Sequence, residues 1–329
     1  MKNNNVQILR AVLAIAVVAV HTLPVNNELK VFIRPFLNIT VAGFIFISGY
    51  LTKLNFNTKE FYKKRILTVL IPYILFTIFY TVINKYKLGV VGLSTQIAKN
   101  LITTQAKMIL YYLAVYMQLV LLTPLLARIA KQKSHILNAT IFAVTPLFLL
   151  CFYIGVINGD ILKEAPWYMM FFPVWLSYYY LGLLIGNNLI KIKIINWALI
   201  LLAIFSLVLQ ILEGCFWLSN TTVKDMYFSQ IRITALLENI PLLLLMTHYI
   251  RSPREKCNKL FCKIGDASFG IYLLHPAFIM VCDKLIVRNE ATFLITFIFA
   301  AAGSFATVLI LNKLLPRKAL KYCGLALAG

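Results

Sequence analysis

The chain has 329 residues, of which 61% are hydrophobic and 13% are charged, and its mean hydropathy is +0.82. These values exclude an ordinary soluble domain and predict an all-α, polytopic membrane protein. A formal net charge of +21 would by itself suggest nucleic-acid binding. The basic residues, however, lie in short clusters between apolar runs, where they fit orientation in a bilayer and contact with lipid headgroups. We therefore expect membrane lipids as partners and no nucleic acid.

Ten apolar segments of spanning length predict a bundle of about ten transmembrane helices. They cover residues 7–24, 32–52, 66–84, 108–128, 136–157, 169–188, 194–213, 231–250, 267–287 and 291–312. With a cytoplasmic N-terminus, the inner segments carry 20 Lys and Arg residues and the outer segments carry 11. This bias predicts that both termini are cytoplasmic. Few regions are long and polar enough for an independent soluble domain, so residues 1–329 are expected to form one membrane domain without a soluble C-terminal domain.

The first segment places an ionisable residue at each end of a ten-residue apolar run. Arg10 precedes the run AVLAIAVVAV, and His21 follows it. In an α-helix, eleven residues bring the two side chains within about 20° of each other on one face and about 16 Å apart along the axis. Such residues inside a bilayer are costly and usually functional. The structural alternative is a snorkelling anchor at Arg10 and an interfacial side chain at His21, and the spacing alone does not choose between them.

Other polar residues interrupt or flank later apolar segments. Glu238 and His275 lie near mid-depth, Ser48 lies near the cytoplasmic end of the second segment, and a basic cluster follows it. Each has a structural alternative. Glu238 could hydrogen-bond a neighbouring helix, His275 could satisfy a backbone carbonyl freed by Pro276, and Ser48 could permit close packing. The basic cluster, which contains Lys63, Lys64 and Arg65, could serve only to orient the chain.

The cysteines predict no metal centre. The six cysteines include one closely spaced pair, Cys257-x4-Cys262, and no second pair of ligands accompanies it. A structural zinc site needs four ligands, so this pair alone is a poor site. We expect no bound metal.

Four stretches resemble the membrane-bound acyltransferase-3 family, the multi-span O-acyltransferases of bacterial surface glycans. These are Arg10-x10-His21, GFIFISGYL at 43–51, FYKKRILTVLIPY at 61–73 and SFGIYLLHPAF at 268–278. The family's third stretch often continues as Arg-x-x-Arg, whereas here Thr68 stands three residues after Arg65. Together with the ten predicted spans, the resemblance covers essentially the whole chain.

The resemblance implies an O-acyltransferase of the bacterial cytoplasmic (inner) membrane. It would move an acyl group, expected to be acetyl, from cytosolic acyl-CoA such as acetyl-CoA to a sugar hydroxyl. The acceptor would be a surface polysaccharide or a lipid-linked glycan precursor, and no bound cofactor is expected.

The same resemblance predicts which polar residues take part in catalysis and which bind the donor or the acceptor. His21 and Arg10 form the expected catalytic pair. Imidazole, with an ordinary pKa near 6.5, suits His21 either as general base or as acyl-accepting nucleophile. Arg10 and the basic cluster would meet the phosphates of the donor. The expected donor-binding residues are Ser48, Lys63, Lys64 and Arg65, and Glu238 and His275 are expected to hold the acceptor or to support the site.

Two other classes of membrane protein compete with this interpretation. A transporter that exports a polysaccharide or a small solute often has paired halves with broken helices, and the sequence shows no such pairing. A glycan polymerase should carry long, arginine-rich outer loops, and the outer segments here are short to moderate. The sequence therefore favours an enzyme, with the transporter as the alternative.

Overall fold

A computed structural model describes residues 3–24, 27–158, 167–220, 226–252 and 259–328. All regular secondary structure in these ranges is helical. The first seven α-helices are α1 (Asn4–Thr22), α2 (Asn27–Ile33), α3 (Ile39–Tyr50), α4 (Thr58–Arg65), α5 (Ile71–Lys85), α6 (Gly89–Thr103) and α7 (Tyr111–Lys131). The next seven are α8 (His135–Asn158), α9 (Leu176–Gly186), α10 (Asn196–Asn220), α11 (Ile233–Arg251), α12 (Lys259–Leu285), α13 (Phe293–Leu314) and α14 (Arg317–Cys323).

Eight helical stretches within the described ranges are long and apolar enough to cross a membrane. They are Asn4–Thr22, Thr58–Thr103, Met108–Lys131, His135–Ile157, Asn196–Asn220, Met226–Arg251, Lys259–Leu285 and Phe293–Leu314. Two further apolar helices, Pro35–Tyr50 and Leu176–Gly186, are shorter. Each of the ten predicted segments overlaps one of these ten stretches. The prediction of a helical, polytopic membrane protein is confirmed, while the number of crossings and the side of the termini stay predictions.

The chain divides into two compact units. The first comprises Met1–Thr52, Tyr178–Leu315 and Leu325–Gly329, and the second comprises Lys53–Ser177 and Pro316–Gly324. Helices α1–α3 and α10–α13 belong to the first unit, together with nearly all of α9. Helices α4–α8 and α14 belong to the second. The expectation of a single membrane domain over the whole chain stays a prediction.

Helix α1 packs along α12 in the first unit, and the two run parallel. Near their N-terminal ends, the carbonyl oxygen of Gln7 lies so close to Gly265 that a Cβ on this glycine would be 2.0 Å away from it. Near their C-terminal ends, His21 lies beside His275. Between these contacts, Val18 joins a buried cluster with Ala267, Ile271, Ile279, Ala300 and Val308 of α12 and α13. Contacts near both ends and an apolar cluster between them therefore hold the helix that carries Arg10 and His21.

Glycines bring α3 and α9 of the first unit into backbone contact. A Cβ on Gly49 would lie 2.1 Å from the carbonyl oxygen of Tyr179. On the facing helix, a Cβ on Gly182 or Gly186 would lie 2.2 or 2.0 Å from a backbone oxygen of α3. No other residue type fits at these positions without moving a helix, which is how small residues set close packing between membrane helices.

In the second unit, α4 continues through a π-helical turn into α5. The side chain of Asn57 caps α4 by accepting hydrogen bonds from the backbone N–H groups of Lys59 and Glu60. The π-helical turn covers Ile66–Leu70 and directly follows the basic end of α4. Turns of this kind are rare and occur often at functional sites.

The last described residues of the chain pack within the first unit. Asn312 on α13 donates from Nδ2 to the carbonyl oxygen of Leu325 over 2.7 Å, and its Oδ1 accepts the backbone N–H of Leu327 over 3.0 Å. The backbone N–H of Ala328 donates to the carbonyl oxygen of Asp266 over 3.1 Å. These bonds attach the apolar tail to α12 and α13.

Candidate active site

Arg10 and His21 lie on one unbroken helix, as their spacing predicted. Helix α1 begins where the side chain of Asn3 accepts hydrogen bonds from two backbone N–H groups, and it continues through His21 to Thr22. Both side chains are partly exposed. The guanidinium Nη1 of Arg10 lies 3.4 Å from Oε1 of Gln7, one turn earlier on the helix. The helical geometry therefore keeps the arginine and the histidine on one face, about 16 Å apart along the axis.

His21 is paired with a second histidine that is distant in sequence. The ring centroids of His21 and His275 lie 5.3 Å apart, with an angle of 35° between the ring planes. His275 is fully buried on α12, and the ring of Tyr272 lies 6.2 Å from it. Two imidazoles, one reachable and one buried, therefore meet where α1 and α12 pack together.

The backbone fixes the tautomer of His275. Its Nδ1 lies 3.1 Å from the carbonyl oxygen of Ile271, one turn earlier on α12. A carbonyl oxygen only accepts, so Nδ1 carries the proton and Nε2 keeps its lone pair in the neutral ring. Pro276 lacks the N–H that would bond the carbonyl of Tyr272. His275 therefore bonds the carbonyl of Ile271 and not the carbonyl of Tyr272, to which Pro276 has no backbone N–H to donate.

Glu238 belongs to a buried polar network. Its Oε2 accepts a hydrogen bond from Nε2 of Gln210, and Oε1 of Gln210 accepts from Nδ2 of Asn38 and from Nη2 of Arg232. Arg232 is fully buried and also donates to the carbonyl oxygens of Ser229 and Gln210, each over 3.0 Å. The acid and the arginine are thus joined through one glutamine, in the low-dielectric interior of the first unit.

Sequence reasoning missed most of this network. Gln210 was the one uncharged polar interruption in the run LVLQILEG, which could have been noticed. Arg232 is one of the 11 basic residues that the sequence prediction places in outer segments, whereas the structure has it at the N-cap position of α11 and fully buried. Asn38 precedes α3 and gives no sequence signal that distinguishes it from any other turn residue.

Ser48 lies in the last turn of α3, and its hydroxyl bonds its own helix. The Oγ donates to the carbonyl oxygen of Phe44 over 2.8 Å. Such a bond leaves the oxygen free to accept from a ligand, because a hydroxyl has acceptor lone pairs. The neighbouring Gly49 serves the close packing of α3 on α9.

The basic cluster forms the last turn of α4 in the second unit. Lys63 and Lys64 are exposed, and Arg65 is partly buried. The guanidinium carbon of Arg65 lies 5.3 Å from the ring centroid of Phe61 and 5.7 Å from that of Tyr116. Two aromatic rings thus hold this guanidinium, while the two lysines remain open to solvent. Thr68, three residues after Arg65, donates from its hydroxyl to the carbonyl oxygen of Lys64 over 2.9 Å.

No group of three or more His, Cys, Asp and Glu side chains converges as a metal site within the part of the chain that the structure describes. Of the cysteine pair noted in the sequence, Cys257 lies outside the described residues.

A model described as an acyltransferase domain matches residues 3–313 of the chain. The chain belongs to the acyltransferase-3 family. Comparisons with curated proteins and with solved structures found no match. Family membership confirms the family assignment made from the four sequence stretches, and it supports an acyltransferase for this multi-pass membrane protein. Acyl transfer is a reaction that an imidazole base or nucleophile serves well, so the family and the histidine pair agree.

Proposed function

We propose that the protein is an O-acetyltransferase of the bacterial cytoplasmic membrane. It transfers the acetyl group of cytosolic acetyl-CoA to a sugar hydroxyl of a surface polysaccharide or of its lipid-linked precursor. Family membership supplies the acyl-transfer class. The observation that carries the proposal further is the pair of His21 and His275, on the helix that also presents Arg10.

The proposed chemistry begins with proton transfer to His21. The imidazole of His21 takes the proton of the acceptor hydroxyl, and the oxygen attacks the thioester carbonyl. The tetrahedral intermediate carries the negative charge on its oxygen, and its collapse breaks the carbon–sulfur bond. The departing thiolate receives the proton from the imidazolium, which leaves the ester, free CoA and neutral His21. In the second proposed route, the neutral imidazole of His21 attacks the thioester carbonyl, and the carbon–sulfur bond breaks to release CoA as a thiolate. The sugar hydroxyl then attacks the acyl group on His21, which leaves as neutral imidazole, and the hydroxyl proton passes to the thiolate.

Helix α1 and helix α4 each offer cations for the phosphates of the donor. On α1, Arg10 lies on the face that carries His21 and is partly exposed. On α4, Lys63 and Lys64 are exposed beside the ring-held guanidinium of Arg65. Charge-assisted hydrogen bonds to phosphate are among the strongest that a protein makes, so these residues are our proposed donor contacts. Ser48, whose hydroxyl oxygen can accept a hydrogen bond, is a further proposed donor-binding residue.

Glu238 is our proposed support residue on the acceptor side. It is 4% exposed and bonded to Gln210, which in turn binds Asn38 and Arg232. This network links α10 and α11 to the chain before α3. Because Glu238 is buried and already hydrogen-bonded, we propose a supporting role for it rather than direct contact with sugar.

The test is base-labile acetyl on cell-surface polysaccharide, measured by proton NMR in a deletion strain. The strain is complemented with the native gene, with His21→Ala or with His135→Ala at matched membrane levels. His135 is an exposed histidine at the start of α8 and serves as the control. We expect acetyl to return with the native gene and with His135→Ala, and to stay absent with His21→Ala. Unchanged acetylation in the deletion strain, with altered amounts of surface glycan, would refute the enzyme and favour export.

A second experiment separates the base from the nucleophile. The purified protein is mixed with radiolabelled acetyl-CoA in the absence of acceptor and quenched in denaturant. Label retained on the native chain and lost in His21→Ala, with His135→Ala unaffected, indicates an acyl-histidine intermediate. Label absent from all three, together with acceptor-dependent release of CoA by the native chain, indicates direct transfer with His21 as base.

A further inference from the structure

A side chain from outside α1 holds the C-terminal end of that helix. Arg288 lies between α12 and α13, and its Nη1 donates to the backbone carbonyl oxygen of His21 over 3.0 Å. The Nε of the same guanidinium lies 2.8 Å from Oδ1 of Asp283, in the last turn of α12. One guanidinium therefore joins the last turn of α1 to the last turn of α12.

The position of this bond suits a clamp on the helix end. The last carbonyl groups of an α-helix lack partners within the helix and carry its negative pole. His21 is the penultimate residue of α1, so its carbonyl is one of these groups. A guanidinium satisfies it with a charged donor, and hydrogen bonds from charged donors are stronger than neutral ones.

The clamp acts on the helix pair that brings the two histidines together. Asp283 and His275 both lie on α12, eight residues apart, and His21 faces His275 across the helix contact. The backbone of His21 is thus held through Arg288, while its ring rests 5.3 Å from the ring of His275. A displacement of the end of α1 moves the imidazole of His21 by a similar distance.

We propose that Arg288 is a positioning residue for His21 and that Asp283 anchors it. The proposal rests on the proposed function insofar as His21 is the reacting group. Misplacing a reacting group by about 1 Å can lower a rate on the order of 100-fold. We therefore expect Arg288→Gln to lower kcat by about 10- to 100-fold. The KM for acetyl-CoA should change by less than about threefold, because the residue lost makes no proposed contact with the donor.

The experiment compares hydrogen–deuterium exchange with acetyl transfer for the full chain in lipid nanodiscs. The variants are Arg288→Gln, Arg288→Lys, Asp283→Asn and the control Lys284→Gln. Lys284 is an exposed cation next to Asp283, and no hydrogen bond or ion pair is found for it among the described residues. Arg288→Gln should speed exchange in the peptide covering residues 19–24 and lower kcat. Arg288→Lys should restore part of both because it keeps a charged donor, Asp283→Asn should lie between, and Lys284→Gln should match the native protein.

Two results would overturn the positioning role. The first is unchanged exchange at residues 19–24 in Arg288→Gln, because Arg288 would then not stabilise the C-terminal end of α1. The second is faster exchange with native kcat, because the clamp would then not position the reacting group. A native chain that shows no acetyl transfer would refute the proposed function instead, and exchange alone would still decide whether the clamp exists. Thermal melting of each variant shows whether the whole fold, rather than the helix end, has changed.

Discussion

Replacing Gly265 by alanine should separate α1 from α12 and impair the histidine pair far from the substitution. The new Cβ would lie 2.0 Å from the carbonyl oxygen and 2.7 Å from the carbonyl carbon of Gln7. Ordinary contact begins at 3.4 Å, so the helices must part by about 1.4 Å at this point. The obstacle is backbone, which no rotamer change removes. Overpacking of this kind costs about 1–3 kcal/mol, against a gain of roughly 0.5–1 kcal/mol from replacing glycine within a helix.

Gly43→Ala is the matched control, because it also packs against α1. There the new Cβ would meet the two δ-methyl groups of Leu13 at 2.9 Å. These are the ends of a flexible side chain, which can rotate away. We expect Gly43→Ala to leave the unfolding free energy within about 1 kcal/mol of the native value.

The assay combines thermal melting of the purified protein with the rate of acetyl transfer. Gly265→Ala should melt at a lower temperature, and a displacement above about 1 Å at the helix pair should lower kcat on the order of 100-fold. Equal melting temperatures and equal kcat values for Gly265→Ala and Gly43→Ala would refute the prediction. If Gly265→Ala melts at a lower temperature than Gly43→Ala but has the same kcat, the substitution separates the helices without displacing His21.

Three further predictions follow from other contacts. Glu238→Leu should lower the unfolding free energy by about 1–3 kcal/mol, because it leaves the buried Nε2 of Gln210 without its acceptor; Glu238→Gln, which keeps an acceptor oxygen, should melt closer to the native protein. Arg65→Lys should raise the KM for acetyl-CoA in steady-state kinetics, because an ammonium does not replace a planar guanidinium that lies over the rings of Phe61 and Tyr116. Asn312→Leu should speed carboxypeptidase digestion of the C-terminal tail, because both bonds from its side chain to the tail are lost.

The helical class could be predicted from the sequence because a membrane helix is recognisable from a single continuous run of apolar residues. A bilayer forces every backbone polar group to bond within its own segment, so a run of about 20 apolar residues has few alternatives to a helix. The predicted segments 32–52 and 169–188 overlap the shorter apolar helices Pro35–Tyr50 and Leu176–Gly186. Neither their shorter length nor their close backbone contact through glycines could be predicted from hydropathy, which does not show which helices touch.

The face shared by Arg10 and His21 could also be predicted, since it follows from helical periodicity alone. The partner of His21 could not. His275 is 254 positions away in the sequence. Hydropathy predicts how deep each residue lies in the membrane, but it does not predict which helices are in contact. The same holds for Arg288, which reads in the sequence as one more basic loop residue. Its bond to a backbone carbonyl depends on α1 and α12 ending side by side, and no side-chain pattern encodes a backbone acceptor.

The buried tautomer of His275 limits what this residue can contribute to acyl transfer. With Nδ1 bound to the carbonyl of Ile271, the neutral ring offers only a lone pair at Nε2. It can therefore accept a hydrogen bond or a proton but cannot donate from Nε2 while neutral. A residue of this kind suits the stabilisation of a neighbouring imidazolium, which is the form that His21 would take in the proposed mechanism with His21 as base. Replacing His275 by asparagine, which offers both a donor and an acceptor, should therefore lower kcat less than His275→Leu, which offers neither. Equal losses in the two variants, at equal melting temperatures, would show that His275 serves packing alone.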